Sequence, residues 1–317
     1  MNILYYTLNE MLKTYRVFNS FDKSRAKALL EKINELRLSI ALIAEQREIF
    51  ISQINVQANA SGYKNDVFYT SDDIKALISR FVAFLSQTVV ISLTQQGIRE
   101  NIFTRQSVPY QQIFSAVQTS NTGQNIPFDL PQEIYLDKSE SLDIGVTNQT
   151  TNGFIFVHGC NLKDDYSPRI DELKAEINRV DENGNPILPQ MALVPIQFVF
   201  PSAVLNTKAK AVDGGSQIFS IKNQQTIILH DVSTTSINSR ITLIDNARNQ
   251  EICNEVESLG IAGFYTNQYT VYYPLPYPHI LRSLDRLELK ALNGSLITGA
   301  QDNANDIQTL IGRGWTI

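Results

Sequence analysis

Residue types able to do chemistry are sparse in this chain. There are three histidines, His158, His230 and His279, and two cysteines, Cys160 and Cys253. His230 and Asp231 are neighbours, and neighbours in a strand point to opposite faces. That is a poor start for a hydrolytic triad, which also needs a positioned serine, and no Gly-x-Ser-x-Gly run is present. His158 and Cys160 would share one strand face, but two ligands do not make a zinc site; the pair reads as core or edge packing. Asp181, Asn183 and Asn185 alternate as calcium ligands do, yet the sixth position is Pro186 and no glutamate stands at the twelfth. This is a turn. The glycines of "VDGGS" (212–216) are not followed by Lys-Ser/Thr and make no phosphate loop. Asp164, Asp165, Asp171 and Glu172 read as a solvated face and a helix start. The expectation is a chain with no catalytic, cofactor-binding or metal-binding residues, and no enzyme.

The elements that would position any site begin with a helical arm. Leu4, Leu8, Met11, Leu12, Tyr15 and Phe18 fall on one helical stripe. Ser20 or Asp22 can cap a second helix, in which Leu29, Ile33, Leu36, Ile40 and Ile43 recur at helical steps. Both helices want an apolar partner along one face: the body of the protein, a neighbouring subunit or a membrane surface. The first 48 residues carry eight Lys or Arg and six acids, an excess of two positive charges on a chain whose net charge is −5. From residue 50 the period changes to two. "IFISQINVQA" alternates, and short β-like runs such as "TVVISL", "EIYLD", "SLDIGVTN" and "GFIFVHG" follow between turn residues. "SDDIKALISRFVAFLSQ" fits either a helix start or a strand. Residues 163–190 hold one charged helix and a proline-rich turn, after which β-like runs resume to the end.

The two β regions repeat each other. Ile91 and Leu93 match Ile241 and Leu243 at an offset of 150, and Leu142, Ile144 and Val146 match Leu287, Leu289 and Ala291 at an offset of 145. Carried on without a gap, the first register sets Ile102 on Ile252 and Phe103 on Cys253, with Arg99 and Arg248 one residue out of step. Both copies place apolar residues before a glycine, Gly159 and Gly312. The reading is a duplicated β-sandwich or barrel: a helical arm over 1–47, a first β-domain over 48–162, a helical connector over 163–192 and a second β-domain over 193–317. "VYYPLPYPHIL" (271–281) reads as a strand at an edge, where proline is tolerated.

Hydrophobic residues make up 43% and charged residues 19% of the 317, which fits packed domains and excludes a disordered chain. The acidic balance excludes a basic nucleic-acid binder, so no sequence-specific nucleic acid is expected as partner. Two cysteines are too few for a disulfide framework; they read as reduced core thiols and point to maturation in a cytoplasm. No apolar run is long enough to span a membrane, and the start has no signal-peptide pattern.

A tandem pair of small β-domains behind an amphipathic arm, carried by "ISLTQQGIRENIF…SLDIGVTNQT" and "ITLIDNARNQEIC…RLELKALNGS", resembles the double jelly-roll major capsid proteins of tailless icosahedral lipid-containing bacteriophages, such as the Flavobacterium lipid-containing phage. The resemblance implies two tandem jelly rolls. It implies homotrimers forming pseudo-hexagonal capsomers of an icosahedral shell, made in the host cytoplasm and located in the virion. It also implies an inner position for the stripe Leu4, Leu8, Met11, Leu12, Tyr15 and Phe18, against an internal lipid membrane or minor capsid proteins. Two other readings stay open: a neck or tail ring or capsid decoration protein of a tailed phage, and a carbohydrate-binding module using Tyr272, Tyr273 and Tyr277.

Overall fold

The computed structural model describes residues 2–59, 62–70, 72–96, 100–101, 108–117, 127–162, 164, 167, 169–212, 218–220, 225–264 and 271–317. Two helices, α1 (Asn2–Phe21) and α2 (Lys23–Gln46), lead into β1 (Arg47–Val56), β2 (Tyr63–Tyr69), β3 (Lys75–Phe84), β4 (Val90–Gln95), β5 (Glu100–Asn101), β6 (Val108–Pro109), β7 (Ser115–Ala116), β8 (Ile134–Leu136), β9 (Ser141–Thr147) and β10 (Gly153–Leu162). Helix α3 (Ile170–Ile177) precedes β11 (Met191–Val199), β12 (Lys210–Ala211), β13 (Ile218–Ser220), β14 (Ile227–Thr234), β15 (Ser239–Asp245) and β16 (Gln250–Glu257). Then come α4 (Ser258–Ile261), β17 (Gly263–Phe264), β18 (Tyr273–Leu281), β19 (Arg286–Asn293) and β20 (Ile307–Thr316). The chain is mainly β, built as stacked sheets of the sandwich kind. The ambiguous 71–87 segment carries strand β3 over Lys75–Phe84. The part of the repeat carried by Arg99, Ile102 and Phe103 lies outside the described residues, as does most of "VDGGS".

Three sheets form. One runs β2-β9-β4-β5, one runs β12-β11-β20-β14-β17 with β18 also on β14, and the largest runs β13-β19-β15-β16-β1-β10-β3-β7 with β8 also on β3. The pairings repeat. In the first half β1 pairs β10, β10 pairs β3, and β3 pairs β8 antiparallel and β7 parallel; in the second half β11 pairs β20, β20 pairs β14, and β14 pairs β18 antiparallel and β17 parallel. Likewise β2-β9-β4-β5 answers to β13-β19-β15-β16.

Register agrees as well. Ile91 faces Val146 and Leu93 faces Ile144, while Ile241 faces Ala291 and Leu243 faces Leu289. These are the offsets of 150 and 145 seen in the sequence. The glycines pair differently from the sequence reading. A bulge leaves Ser79 unpaired in β3, with Ile78 opposite Gly159 and Arg80 opposite His158; the same bulge leaves His230 unpaired in β14, with Leu229 opposite Gly314 and Asp231 opposite Arg313. Gly159 therefore corresponds to Gly314, not Gly312. The reason is steric: a Cβ at Gly159 would lie 2.3 Å from the Leu77 carbonyl oxygen, and one at Gly314 2.1 Å from that of Ile228. Each bulge brings backbone close to the neighbouring strand, and only glycine fits there.

The halves differ in what covers them. Phe50, Ile78, Phe81, Ile91, Ile144, Ile155 and Val157 fill the space between the two sheets of the first half. Ile49, Ile51, Val82, Phe154, Phe156 and Cys160, on the opposite face of the same strands, join the core of the second half with Val194, Leu229, Ile241, Leu275, Tyr277 and Leu289. Strands β3 and β10 are thus apolar on both faces, as strands buried between two layers must be.

Candidate functional site: the joint and the cleft beneath the arm

Aspartate 22 breaks the arm into two helices. Its carboxylate accepts a 3.0 Å hydrogen bond from the Arg25 amide, the N-cap contact that starts α2. The helices fold back on each other. Of the stripe singled out from the sequence, Leu8, Leu12 and Tyr15 are buried, and Leu4, Met11 and Phe18 are partly buried against the same cluster. That cluster contains Ile33, Ile40, Ala41 and Ala44 of α2, Leu173 of α3, and Ile228 and Ile280 of the second half. The stripe thus packs on the protein's own body, while Tyr6, Val17 and Phe21 face outward. No helix among the described residues is long and apolar enough to cross a membrane.

The joint between the halves is polar at its centre. Arg80, fully buried, donates to the carbonyls of Pro274 (2.7 Å) and Leu275 (3.1 Å) in β18 and pairs with Asp129 at 2.9 Å. Beside it, His158 Nε2 lies 2.9 Å from the Gly260 carbonyl of α4. Burial, with the Arg80 charge adding to it, lowers the His158 pKa to about 3, so the ring is neutral and Nε2 donates. Gln250 donates to the Ile49 carbonyl, the Glu257 amide donates to Gln53, and β1 meets β16 in one parallel pair, Ile51 with Cys253. Gly260 has no room for a side chain: a Cβ would lie 2.3 Å from the Phe156 ring.

The corresponding place in the second half is open. Asp231 and Arg313, the counterparts of Arg80 and His158, form a forked ion pair with nitrogen–oxygen distances of 3.0 and 2.5 Å. The Arg313 guanidinium stacks 4.1 Å above Tyr272, and the His230 ring lies 4.3 Å from that of Tyr5. These residues, with Tyr6, Met191 and Trp315, line a cleft of about 380 Å³. The Tyr5 hydroxyl is buried there with no hydrogen-bond partner among the described residues, and burial, helped by Asp231, raises its pKa.

Several sequence expectations change here. His230 and Asp231 do not point apart: the bulge at His230 lets its Nδ1 lie 3.1 Å from an Asp231 oxygen. Tyr273 and Tyr277 are 3% and 1% exposed, so they present no binding surface; only Tyr272 reaches the cleft. Strand β18 is buried throughout, beneath α2 and against β1. Its three prolines are tolerated because it lies at the end of the β14 ladder. His158 and Cys160 do share the joint face, where the ring meets a carbonyl and the thiol meets core. Asp181 accepts from the amides of Asn183 (2.9 Å) and Asn185 (2.8 Å), the hydrogen bonds of a turn. Buried ionisable groups were not legible in the sequence: Arg37, Glu45, Arg80, Asp245 and His279 are all buried. His279 Nε2 lies 3.1 Å from Asp245, and Arg282 holds Glu45.

No family model matches this chain. No curated protein matches it either. Among solved structures, the PBSX exported protein XepA is similar over 86% of this chain and 87% of its own, at 10% identity and a TM-score of 0.22. A vicilin from Solanum melongena is similar over 84% of this chain and 74% of its own, at 10% identity and a TM-score of 0.19. The infectious bursal disease virus Gx strain structure is similar over 84% and 69%, at 8% identity and a TM-score of 0.19. At these scores the likenesses carry no argument about what this chain does.

Proposed function

We propose that this chain is a structural virion protein of the double jelly-roll kind, a major capsid protein that assembles as homotrimeric, pseudo-hexagonal capsomers of an icosahedral shell. The observation that carries the reading is the strand pairing. Eight strands in two sheets, paired first-last-third-sixth and second-seventh-fourth-fifth, are the jelly-roll order. The order β1-β10-β3-β8 with β2-β9-β4-β5 fits it, and so does β11-β20-β14-β18 with β13-β19-β15-β16. Jelly rolls also serve as lectins and small-molecule barrels. The tandem copy favours the shell, because three chains then present six similar units. The reading assigns no catalytic step, cofactor or metal. Its partners are other copies of the chain and, through the exposed Tyr6, Val17 and Phe21 side of the arm, a lipid surface or a minor capsid protein inside the virion.

Native mass at rising protein concentration tests it. A mass of three chains, passing to closed shells, is expected. A ring of fixed high order points instead to a neck or tail component, and a stable monomer that binds glycans points to a carbohydrate-binding module; either result ends the capsid reading.

A further inference from the structure

The cleft between α1 and the β14–β20 ladder has the size and lining of a small-molecule site. Its volume of about 380 Å³ lies within the ~300–1,000 Å³ usual for such sites. Aromatic rings reach it from separate elements: Tyr6 of α1, Tyr272 just before β18 and Trp315 of β20. Between the rings stand one ion pair and one histidine. Asp231 is 5% exposed, and its carboxylate is occupied by the Arg313 fork and by His230 Nδ1. With Nδ1–H donating to Asp231, Nε2 of the neutral ring is an acceptor. Arg313 spends Nε and one terminal nitrogen on Asp231. Its other terminal nitrogen has two N–H groups that make no hydrogen bond among the described residues, on a side chain 37% exposed.

These groups select a ligand class. A small anion needs uncompensated positive charge, and Asp231 cancels Arg313. A cation needs a carboxylate with lone pairs to spare, and Arg313 and His230 occupy Asp231. A nucleobase stacks between open ring faces, but Arg313 covers Tyr272 at 4.1 Å and His230 covers Tyr5 at 4.3 Å. The ligand that fits is uncharged, carries groups that both donate and accept, and rests a C–H face on a ring. We infer that the cleft binds a neutral saccharide of one or two rings, with hydroxyls on Arg313 and His230 Nε2 and a C–H face against Tyr6 and Trp315. The first half shows the same positions satisfied from within: Arg80 and His158 each meet carbonyl oxygens of β18 or α4. In the second half the sugar supplies the oxygen atoms. The buried Tyr5 hydroxyl, with no hydrogen-bond partner among the described residues, is a further donor that a sugar hydroxyl satisfies.

Trp315 is the only tryptophan and lines the cleft, so its fluorescence reports occupancy. Glucose, galactose, N-acetylglucosamine, maltose, lactose and chitobiose are titrated into the full chain, beside inorganic phosphate, spermidine and adenosine. At least one saccharide shifts the emission along a saturating curve, and phosphate, spermidine and adenosine do not. Arg313→Gln weakens that binding at least about tenfold. Tyr6→Ala changes a side chain that is 69% exposed, so the fold tolerates it, and it weakens binding about three- to tenfold. Circular dichroism confirms that both variants are folded. Three results overturn the assignment: no saccharide shifts the emission, phosphate, spermidine or adenosine binds in its place, or Tyr6→Ala binds the saccharide as tightly as the wild type. The site is independent of the shell reading, and native mass separates the two. A protein that assembles and binds no saccharide loses this site and keeps the shell; a permanent monomer that binds one keeps the site and ends the shell.

Discussion

Replacing Arg80 by methionine probes the joint directly. The guanidinium is fully buried and donates two hydrogen bonds across the joint, to Pro274 and Leu275. Hydrogen bonds from a charged group contribute about 1.5–3 kcal/mol each, so the pair amounts to about 3–6 kcal/mol. The ion pair with Asp129 adds about 0–1 kcal/mol, since that carboxylate is 44% exposed and screened by water. Opposing these is the burial of the cation itself, the largest influence on the lowered Arg80 pKa, and methionine removes that penalty while keeping most of the stem volume. The net expectation is a loss of about 2–4 kcal/mol. Urea unfolding followed by circular dichroism and by the fluorescence of Trp315, the only tryptophan, reads it as a lower midpoint. A loss below about 0.5 kcal/mol would refute the reasoning, because it would mean that the two carbonyls find equivalent partners without Arg80.

Acid should weaken the fold through the buried histidines. The His158 pKa is lowered to about 3 and that of His279 is also lowered, chiefly by burial, so the unfolded chain binds protons that the folded one refuses. The contribution of His158 is complete above about pH 6.5 and falls by about 1.4 kcal/mol per pH unit below it, toward its folded value of about 3; His158→Gln should remove that share of the slope in unfolding measured from pH 7 to 4. Gly159→Ala and Gly314→Ala should each destabilise by at least about 1–3 kcal/mol, since both new methyl groups meet backbone oxygen; a thermal melt in which one is neutral breaks the equivalence of the two bulges. Leu8→Ala should cost about 2–5 kcal/mol of arm packing and Asp22→Ala about 1 kcal/mol of capping. In both, protease should cut the arm before the β body, and an arm as resistant as in the wild type would count against its docking on Ile228 and Ile280.

The sequence by itself determined the local structure and the repeat. Alternation in "SLDIGVT" and "RLELKALN" set out the strands, the offsets of 150 and 145 foretold the ladder register, and the spacing of Leu8, Leu12, Ile33 and Ile40 gave two amphipathic helices. Those signals are local, because one buried face imposes a period of 2 or 3.6 on a short stretch. Only the tertiary structure decided which faces are covered. β3 lost its alternation, and so read ambiguously, because a second layer buries its other face. The bulges at Ser79 and His230 shifted the glycine equivalence and brought His230 onto Asp231, since a bulge depends on the neighbouring strand. Equivalent positions such as Arg80 and Asp231 diverged into buried joint and open cleft because different elements pack against them. Residue type cannot reveal that difference; it depends on what packs against each copy.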